Sequence, residues 1–480
     1  MNKLQKPIFE KSRKGKIGYS FSPTEFSDDL ITIDKKKLRE DIKDFPQLSE
    51  VEVVRHYTNL AQLNHSVDSG FYPLGSCTMK YNPKINEKIA NFEEFSTHPY
   101  SPHKFVEGNL EIITTFEEWL KKITAMAAFT LTPSAGAHGE ITGMMIIKKY
   151  LSSKGDPRKT ILIPDSAHGT NPSSAHFAGY EIIEIPSNKD GIIDVETLKE
   201  YLNEDVAALM MTNPNTLGIF EKNICKISEM LHKNGSLLYM DGANMNAFMG
   251  IARPGDLGVD VLHLNLHKTF STPHGGGGPG SGPVGVASYL IKYLPTPIVY
   301  KKDNNYFVKY HEEKSIGRVK NFYGNFLVIV KALTYLMSIG KEYIRKVAED
   351  AVLNANYIRK SLEPFLELPY KSKTLHEVVF SDNNLNVTTL DIAKSLLDYG
   401  IHPFTIYFPL IVHGAMMIEP TETESKETID EFIDVMKKIL EKAKNDPEYI
   451  KGAPYTTPVS RLDEVLAARK HILKWENLGE

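Results

Sequence analysis

Lys268 is the residue of this sequence best placed to act as a nucleophilic amine. It follows the apolar run Val261 to Leu264, which we interpret as a strand, and it precedes a glycine-rich run from Gly275 to Gly282. A lysine amine in a crowded pocket loses its proton more readily and can form a Schiff base with an aldehyde. A solvated surface lysine is the commoner alternative. The glycine run lacks the ending of a Walker loop, so it favours a close backbone approach or a mobile gate.

Asp241 offers a carboxylate that could complement such an amine. It comes directly after the predicted strand Ser236 to Met240, and Gly242 and Ala243 follow it. A carboxylate at this position could pair with a protonated ring nitrogen, and the small residues after it leave room for a flat ring. The alternative is an aspartate that caps a turn.

The small-residue loop Ser134-Ala135-Gly136-Ala137 opens a predicted helix, Gly139 to Tyr150. Free backbone N–H groups and the helix dipole favour an anion such as a phosphate at a helix N-terminus. An ordinary tight turn at a helix start is the alternative.

His168 follows another predicted strand, Thr160 to Ile163. Open α/β sheets hold ligands at the carboxyl ends of their strands, where an imidazole could stack on a planar ring or move protons. Taken alone, a surface-loop histidine is the better interpretation.

The elements that must position these residues alternate between strands and helices from residue 130 onward. This alternation predicts an α/β fold with a mostly parallel sheet covered on both faces. We divide the chain into an N-terminal extended arm (1–105), a large α/β domain (106–325) and a smaller C-terminal α/β domain with a tail (326–480). Residues 109–129 are predicted to be helical, and the arm is expected to need a partner surface.

Composition sets limits on the class of protein. The 480 residues include 56 Lys plus Arg and 60 Asp plus Glu, for a net charge of −4, which gives no bulk attraction to nucleic acid or anionic lipid. Two cysteines, Cys77 and Cys225, cannot make a disulfide framework. The N-terminus lacks the apolar core of a secretory signal, and no apolar run is long enough for a membrane span. We therefore expect a cytoplasmic protein with no metal site.

Together the four pieces resemble the pyridoxal-phosphate enzymes of the aspartate-aminotransferase fold, known as fold type I. Lys268 comes 27 residues after Asp241, and the turn Asn213-Pro214-Asn215 is similar to a family feature near the cofactor ring. The resemblance implies pyridoxal 5'-phosphate as cofactor. The residues it implies as cofactor ligands are Ser134, Ala135, Gly136, His168, Asn213, Asp241, Ala243, His267 and Lys268.

Longer segments resemble the P-protein family of the glycine cleavage system. They are His65 to Pro83, Pro133 to Gly143, Asp165 to Pro172, and His263 to Phe270. The resemblance is to the half of the P-protein that carries the Schiff-base lysine. It implies decarboxylation of glycine with release of CO2 and transfer of the aminomethyl group to the lipoyl arm of the H-protein. It also implies an alpha-subunit partner in an α2β2 heterotetramer and catalytic roles for Lys268, His168 and His65.

Three other interpretations remain at this point. The chain could be an aminotransferase, a cysteine desulfurase or a non-catalytic scaffold subunit. A desulfurase needs a mobile late cysteine, whereas Cys225 lies on a predicted helix. A scaffold would not need Lys268 in its full setting. The residues that would bind a substrate carboxylate are not identified, since none of the ten arginines lies in one of these motifs.

Overall fold

The computed structural model describes residues 5–19, 22, 25, 32–39, 42, 44–278 and 280–475. Pro279, in the glycine-rich run, lies outside the described residues, as do the first four residues of the N-terminus and parts of the predicted arm. The chain divides into two compact units, Met1–Gly70 with Gly452–Glu480 and Phe71–Lys451. The predicted boundaries at residues 105 and 325 stay a prediction.

A seven-stranded sheet is the largest sheet of the unit Phe71–Lys451, and its strands run in the order β1-β7-β6-β5-β4-β2-β3. The strands are β1 Ala128–Thr130, β2 Thr160–Pro164, β3 Glu181–Ile185, β4 Val206–Thr212, β5 Leu237–Asp241, β6 Val261–His263 and β7 Val284–Val286. From β3 to β6 all neighbours are parallel, and only β7 runs against its two neighbours. The predicted mostly parallel sheet is confirmed.

Two smaller sheets follow. The hairpin consists of β8 Ile298–Lys302 and β9 Asn305–Lys309, and the three-stranded sheet consists of β10 Val378–Phe380, β11 Thr405–Ile406 and β12 Met416–Ile418. The order of this three-stranded sheet, which we call the small sheet, is β10-β12-β11. Leu74 forms a bridge to Ile418, so the segment after residue 70 lies along β12.

Thirteen α-helices accompany these strands in the described part of the chain. They are α1 Ile8–Lys11, α2 Glu50–Ala61, α3 Lys84–Ala90, α4 Glu107–Thr124, α5 Gly136–Ser153, α6 Thr170–Phe177, α7 Val195–Tyr201, α8 Ile224–Lys233, α9 Phe326–Leu362, α10 Thr389–Asp398, α11 Lys426–Asn445, α12 Pro447–Gly452 and α13 Glu464–Arg469. The side chain of Asp194 caps α7, as the sequence predicts. No helix in the described part of the chain combines the length and the apolar character that a membrane span needs.

The predicted helix over 109–129 is wrong at its end. Helix α4 stops at Thr124, where Ala125 adopts a left-handed conformation (φ 58°), and β1 begins at Ala128. The run Ala125 to Phe129 is apolar and fits either a helix or a buried strand, so its pattern alone could not decide. Pairing of β1 with β7 decides in favour of the strand.

Candidate functional site

Two predicted site residues lie at the ends of neighbouring parallel strands. Asp241 is the last residue of β5, and it lies opposite His263, the last residue of β6. Lys268 comes five residues after His263, in the loop beyond β6. Both Asp241 and Lys268 line a cavity of ≈ 390 Å³ at this edge of the sheet. The parallel order of β5 and β6 therefore brings an amine and a carboxylate together, as ligand sites in open α/β sheets require.

Asp241 is buried and held in its charged form. Its Oδ2 accepts a hydrogen bond from Asn171 Nδ2 at 3.0 Å, and its Oδ1 accepts one from the Ala243 N–H at 2.9 Å. His263 Nε2 lies 3.4 Å from Oδ1. Burial alone would raise the pKa of Asp241, but His263, the bond from Asn171 and the charge of Lys268 together hold it below its usual value. A fixed, buried carboxylate of this kind can stabilise a positive charge on a bound ring.

The Lys268 amine points to the wall of the cavity. Its Nζ donates to the carbonyl oxygen of Ser76 at 2.8 Å, and Ser76 also lines the cavity. The amine is only partly buried, so a ligand in the cavity could reach it. A carbonyl oxygen is a neutral acceptor, which leaves the amine without a carboxylate partner that would have to be displaced.

His168 presents its imidazole to the same cavity. Its Nδ1 lies 2.9 Å from Thr170 Oγ1, and that hydroxyl donates to Glu140 Oε1 at 2.8 Å. Burial and then the positive charge of Lys268 lower the pKa of His168. The ring is therefore neutral near pH 7 and fixed in orientation by Thr170.

The start of α5 forms another wall. Ala135 and Gly136 line the cavity, and α5 begins at Gly136 with its free N–H groups at this end. The backbone packs closely here, because a Cβ at Gly282 would lie 2.1 Å from the Ala135 carbonyl oxygen. A Cβ at Gly136 would lie 2.3 Å from Asn265 Nδ2. Both positions need glycine to leave room, and the helix start offers a place for an anion.

His267 is buried beside Lys268, and its Nδ1 has no hydrogen-bond partner within the described chain. Burial, followed by the charges of Lys268 and His274, lowers the pKa of His267 to about 2. An unpartnered buried nitrogen is costly unless a ligand or water meets it. His267 is thus a neutral group in the wall of the cavity, with Nδ1 packed against Gly280.

The structure brings most predicted site residues together but not all. Ala135, Gly136, His168, Asp241, Ala243, His267 and Lys268 line the cavity. Asn213 and Ser134 are not among its lining residues. Asn213 Oδ1 accepts from the Glu221 N–H, and Ser134 Oγ pairs with His138 Nδ1. His65 belongs to the unit Met1–Gly70. The roles of these three residues stay predictions.

Several lining residues were not predicted. They are Ser76, Ala137, Glu140, Thr170, Thr212, Thr216, Asn244, His263, Asn265, Gly277 and Gly278. Thr212 ends β4 just as Asp241 ends β5, so the strand-end position was the signal for it. Ser76 gives no such signal, since it reaches the cavity from almost two hundred residues away in sequence.

Glu140, Asp241 and His263 place potential ligand atoms within 4.8 Å of one another. Hydrogen-bond donors already occupy the carboxylates, however. Glu140 accepts from Thr170 and Ser174, and Asp241 accepts from Asn171 and Ala243. These bonds explain the cluster as support for the cavity wall.

The described residues fit pyridoxal phosphate. An amine could bind its aldehyde, a buried carboxylate could bind its ring nitrogen, and a helix start could bind its phosphate. These groups surround one cavity, and Gly136 and Gly282 keep the helix start free of side-chain atoms. The glycine run does not end as a Walker loop does, which favours this interpretation over a nucleotide.

Comparison with family models identifies two regions. Residues 138–277 match the model described as aminotransferase class-V, and residues 347–451 match the model described as glycine dehydrogenase, C-terminal domain. The first region contains most of the residues that line the cavity, and the second contains all three strands of the small sheet.

Curated relatives cover nearly the whole chain. A protein named probable glycine dehydrogenase (decarboxylating) subunit 2 from Kosmotoga olearia is 56% identical, over 98% of this chain and 99% of its own length. A protein of the same name from Pyrococcus horikoshii is 55% identical, over 98% of this chain and 96% of its own length.

Solved structures show the same fold at low identity. A glycine decarboxylase (P-protein) of the glycine cleavage system, in inhibitor-bound form, has a TM-score of 0.72 and 19% identity, covering 87% of this chain and 100% of that chain. A cysteine desulfurase from Escherichia coli has a TM-score of 0.61 and 15% identity, covering 79% of this chain and 97% of that chain. In the present chain Cys225 lies on α8, as predicted.

Proposed function

The chain belongs to the glycine dehydrogenase (decarboxylating) subunit 2 family, and on that premise we propose that it is the cofactor-binding subunit of a P-protein that decarboxylates glycine. One observation carries the proposal: Lys268 and Asp241 face one cavity that the start of α5 also lines. That combination suits an aldehyde, a ring nitrogen and a phosphate at once. The aminotransferase class-V match over the same region supports pyridoxal phosphate as the cofactor.

Pyridoxal phosphate, when bound, supplies an electron sink for the pair of electrons that remains after CO2 leaves. The residues of the chain supply its placement. Lys268 Nζ would bind the aldehyde carbon, Asp241 would hold a proton on the ring nitrogen, and His168 would lie against the ring. The N–H groups at Ala135 and Gly136 would hold the phosphate.

The residues that line the cavity determine how a substrate carboxylate would be bound. No arginine lines it in the described part of the chain, and its polar lining consists mainly of hydroxyl, amide, imidazole and carboxylate groups. A glycine carboxylate would thus be held by a neutral donor such as the Ser76 hydroxyl. Weak binding of this group suits decarboxylation, because a tight ion pair would stabilise the ground state and not the transition state.

Lys268 also provides an amine that can transfer a proton to or from the reacting carbon. It is the only lysine lining the cavity among the residues that the structure describes. The reaction also needs an oxidant that accepts the electron pair left by CO2, and the lipoyl disulfide of the H-protein would supply it: one sulfur would take the aminomethyl group, the S–S bond would break, and the other sulfur would leave as a thiol. The subunit 2 name of the relatives supports a subunit 1 partner, and we propose the α2β2 assembly on the same basis.

The test is exchange of labelled bicarbonate into the carboxyl group of glycine. The wild-type chain is mixed with subunit 1, lipoylated H-protein and pyridoxal phosphate. We expect label in glycine, loss of exchange in Lys268→Ala, and normal exchange in Lys226→Ala, a matched change at an exposed lysine of α8. Unchanged exchange in Lys268→Ala would overturn the proposal.

A further inference from the structure

Two buried glutamates flank one end of the small sheet. Glu377 directly precedes β10, and Glu419 directly follows β12. The antiparallel register pairs Val378 with Ile418, so the two glutamates come next to each other beyond that pair. Both are fully buried. Neither lines the cavity, and the reaction proposed above does not use them.

These carboxyl groups hold the segment Ser76-Cys77-Thr78, which we call the clamp segment. Glu377 Oε2 accepts from the Ser76 N–H at 2.9 Å. Glu419 Oε2 accepts from the Thr78 N–H at 2.8 Å, and its Oε1 accepts from Thr78 Oγ1 at 2.6 Å. Each end of the clamp segment is therefore bound by one carboxyl group of the small sheet.

The clamp segment has an unfavourable backbone conformation that these bonds hold in place. Ser76 has φ 63° and Thr78 has φ 49°, both in the left-handed region. That conformation is unfavourable for a β-branched residue such as threonine and persists only where surrounding contacts enforce it. The three bonds to Glu377 and Glu419 supply that enforcement.

The clamp segment reaches the reactive amine. The Ser76 carbonyl oxygen is the acceptor for Lys268 Nζ at 2.8 Å. Its direction is set by the same backbone that Glu377 and Glu419 hold. A change at the small sheet would therefore move the acceptor of the amine without touching the cavity lining.

The two carboxyl groups are not equivalent. Glu419 accepts through both oxygens, which stabilises its charged form, whereas Glu377 Oε1 has no partner within the described residues. His376 Nε2 lies 3.8 Å from Glu377 Oε1 and 4.0 Å from Glu419 Oε1, and neither nitrogen of His376 has a partner there. Two buried carboxylates with no hydrogen-bonded cation would be costly. A proton on Glu377 Oε1, the carboxyl oxygen that has no hydrogen-bond partner among the described residues, removes one of the two charges.

The surrounding charges favour a single proton on the Glu377–Glu419 pair. Burial and then the charge of Glu419 raise the pKa of Glu377 well above its usual value, while Lys268 opposes the rise. Burial and then Lys268 lower the pKa of His376 to about 3, so this ring is a neutral acceptor. Burial also raises the pKa of Glu419, but the two hydrogen bonds from Thr78 and then the charge of Lys268 oppose that rise, which favours Glu377 as the protonated member of the pair. The other ionisable groups that act on this cluster are Cys77 and Glu422.

We propose that Glu377 and Glu419 are positioning residues for Lys268: Glu377 as a neutral acid and Glu419 as a carboxylate hold the clamp segment, and the clamp segment holds the amine. The inference rests on the proposed function only in taking Lys268 as the reactive amine. Its tests need no glycine turnover, so their failure would leave the proposed function standing.

The first test is infrared spectroscopy of the purified full chain. The difference between wild type and Glu377→Gln should contain the C=O stretch of a protonated carboxyl group. The matched change Glu431→Gln, at an exposed position on α11, should remove only carboxylate bands. Carboxylate bands alone in the Glu377→Gln difference would overturn the proposal. So would a stoichiometric divalent metal that is bound by wild type and lost in Glu377→Gln.

The second test is hydrogen exchange of the backbone amides of residues 74–80. Glutamine mimics a neutral acid, so exchange in Glu377→Gln should stay within about twofold of wild type, whereas Glu377→Ala should exchange at least about tenfold faster. Glu419→Gln should also exchange about tenfold faster, because its amide nitrogen cannot accept from Thr78. Equal effects of Gln and Ala at position 377 would overturn the assignment of a proton to Glu377. A carboxylate with a merely structural role would be impaired equally by the two substitutions.

Discussion

At the residue scale, the candidate site depends on charges that the fold keeps apart from water. Asp241 keeps its charge although it is buried, because His263, Asn171 and Lys268 favour the ionised form. His168 and His267 stay neutral in the same cavity because burial and Lys268 disfavour a further positive charge. One fixed anion, one amine and neutral imidazoles are what binding of a charged ring and a reactive carbonyl requires.

The change Asp241→Asn tests the anion. The amide can still accept from the Ala243 N–H, but it carries no charge and its nitrogen would face Asn171. We expect glycine exchange to fall by about 100-fold or more and the free energy of unfolding to fall by only about 1–3 kcal/mol. Exchange assays and urea unfolding measure the two effects, with the exposed change Asp156→Asn as control. Near-normal exchange in Asp241→Asn would refute this role.

The buried ring of His274 leads to a prediction about how the free energy of unfolding depends on pH. Burial and then Lys268 lower its pKa to about 4 in the folded chain. Between pH 6.5 and 4 the unfolded chain takes up a proton at this residue that the folded chain does not, so falling pH weakens the fold by about 1.4 kcal/mol per pH unit from this residue. His274→Gln lacks that loss. The difference in unfolding free energy between wild type and His274→Gln should therefore shift by this amount per unit as the pH is lowered.

Urea unfolding at several pH values measures that difference. The change His103→Gln, at an exposed histidine, serves as control and should show a constant difference from wild type. A constant difference for His274→Gln as well would contradict the buried, neutral state of this ring.

At the element scale, the segment 71–83 connects parts of the unit that are far apart in sequence. Lys80 is its anchor. The Lys80 amine donates to Glu422 Oε1 at 2.7 Å, to the Thr269 carbonyl at 2.9 Å and to Asn246 Oδ1 at 2.9 Å. Its side chain is 1% exposed and that of Glu422 is 9% exposed. The contact with Thr269 lies directly after Lys268, so this anchor also supports the site loop.

The change Lys80→Met tests the anchor. It leaves Glu422 buried without its cation, and we expect a loss of about 3–5 kcal/mol in the free energy of unfolding. The same change at Lys331, whose partner Glu87 is 43% exposed, should cost only about 0–1 kcal/mol. Urea unfolding of the two variants compares them directly. Equal losses in the free energy of unfolding would show that the buried Lys80–Glu422 pair stabilises the fold no more than the Lys331–Glu87 pair does.

How far the sequence predicts these elements depends on sequence distance. Asp241 and His168 could be identified because strand, turn and polar residue follow one another within a few positions. The bonds of Ser76 to Glu377 and of Thr78 to Glu419 span about three hundred residues or more, and no local period indicates them. The end of α4 was also missed, because an apolar run fits a helix and a buried strand equally well.

At the scale of the whole molecule, the described residues of the N-terminal segment 1–105 carry large exposed aromatic side chains. They include Phe45, Tyr57 and Phe105, each more than half exposed in the single chain. Exposed aromatic groups of this kind are typical of surfaces that bind another protein. The subunit 2 name of the relatives supplies a candidate partner, namely subunit 1.

Assembly with subunit 1 is therefore the expected working state. In light scattering, the chain mixed with subunit 1 should form a complex with two copies of each. Glycine exchange should appear only in that mixture with lipoylated H-protein, because the predicted interface is covered only there. A monomer that is fully active at high dilution would contradict this expectation.

Attachment of the cofactor to Lys268 tests the central claim most directly. The chain is loaded with pyridoxal phosphate, reduced with borohydride and digested, and the peptides are identified by mass spectrometry. Since Lys268 is the lysine that lines the cavity in the described part of the chain, we predict that the pyridoxyl group is found on Lys268. A pyridoxyl group on another lysine, such as Lys80, with Lys268 unmodified would contradict the assignment of this site.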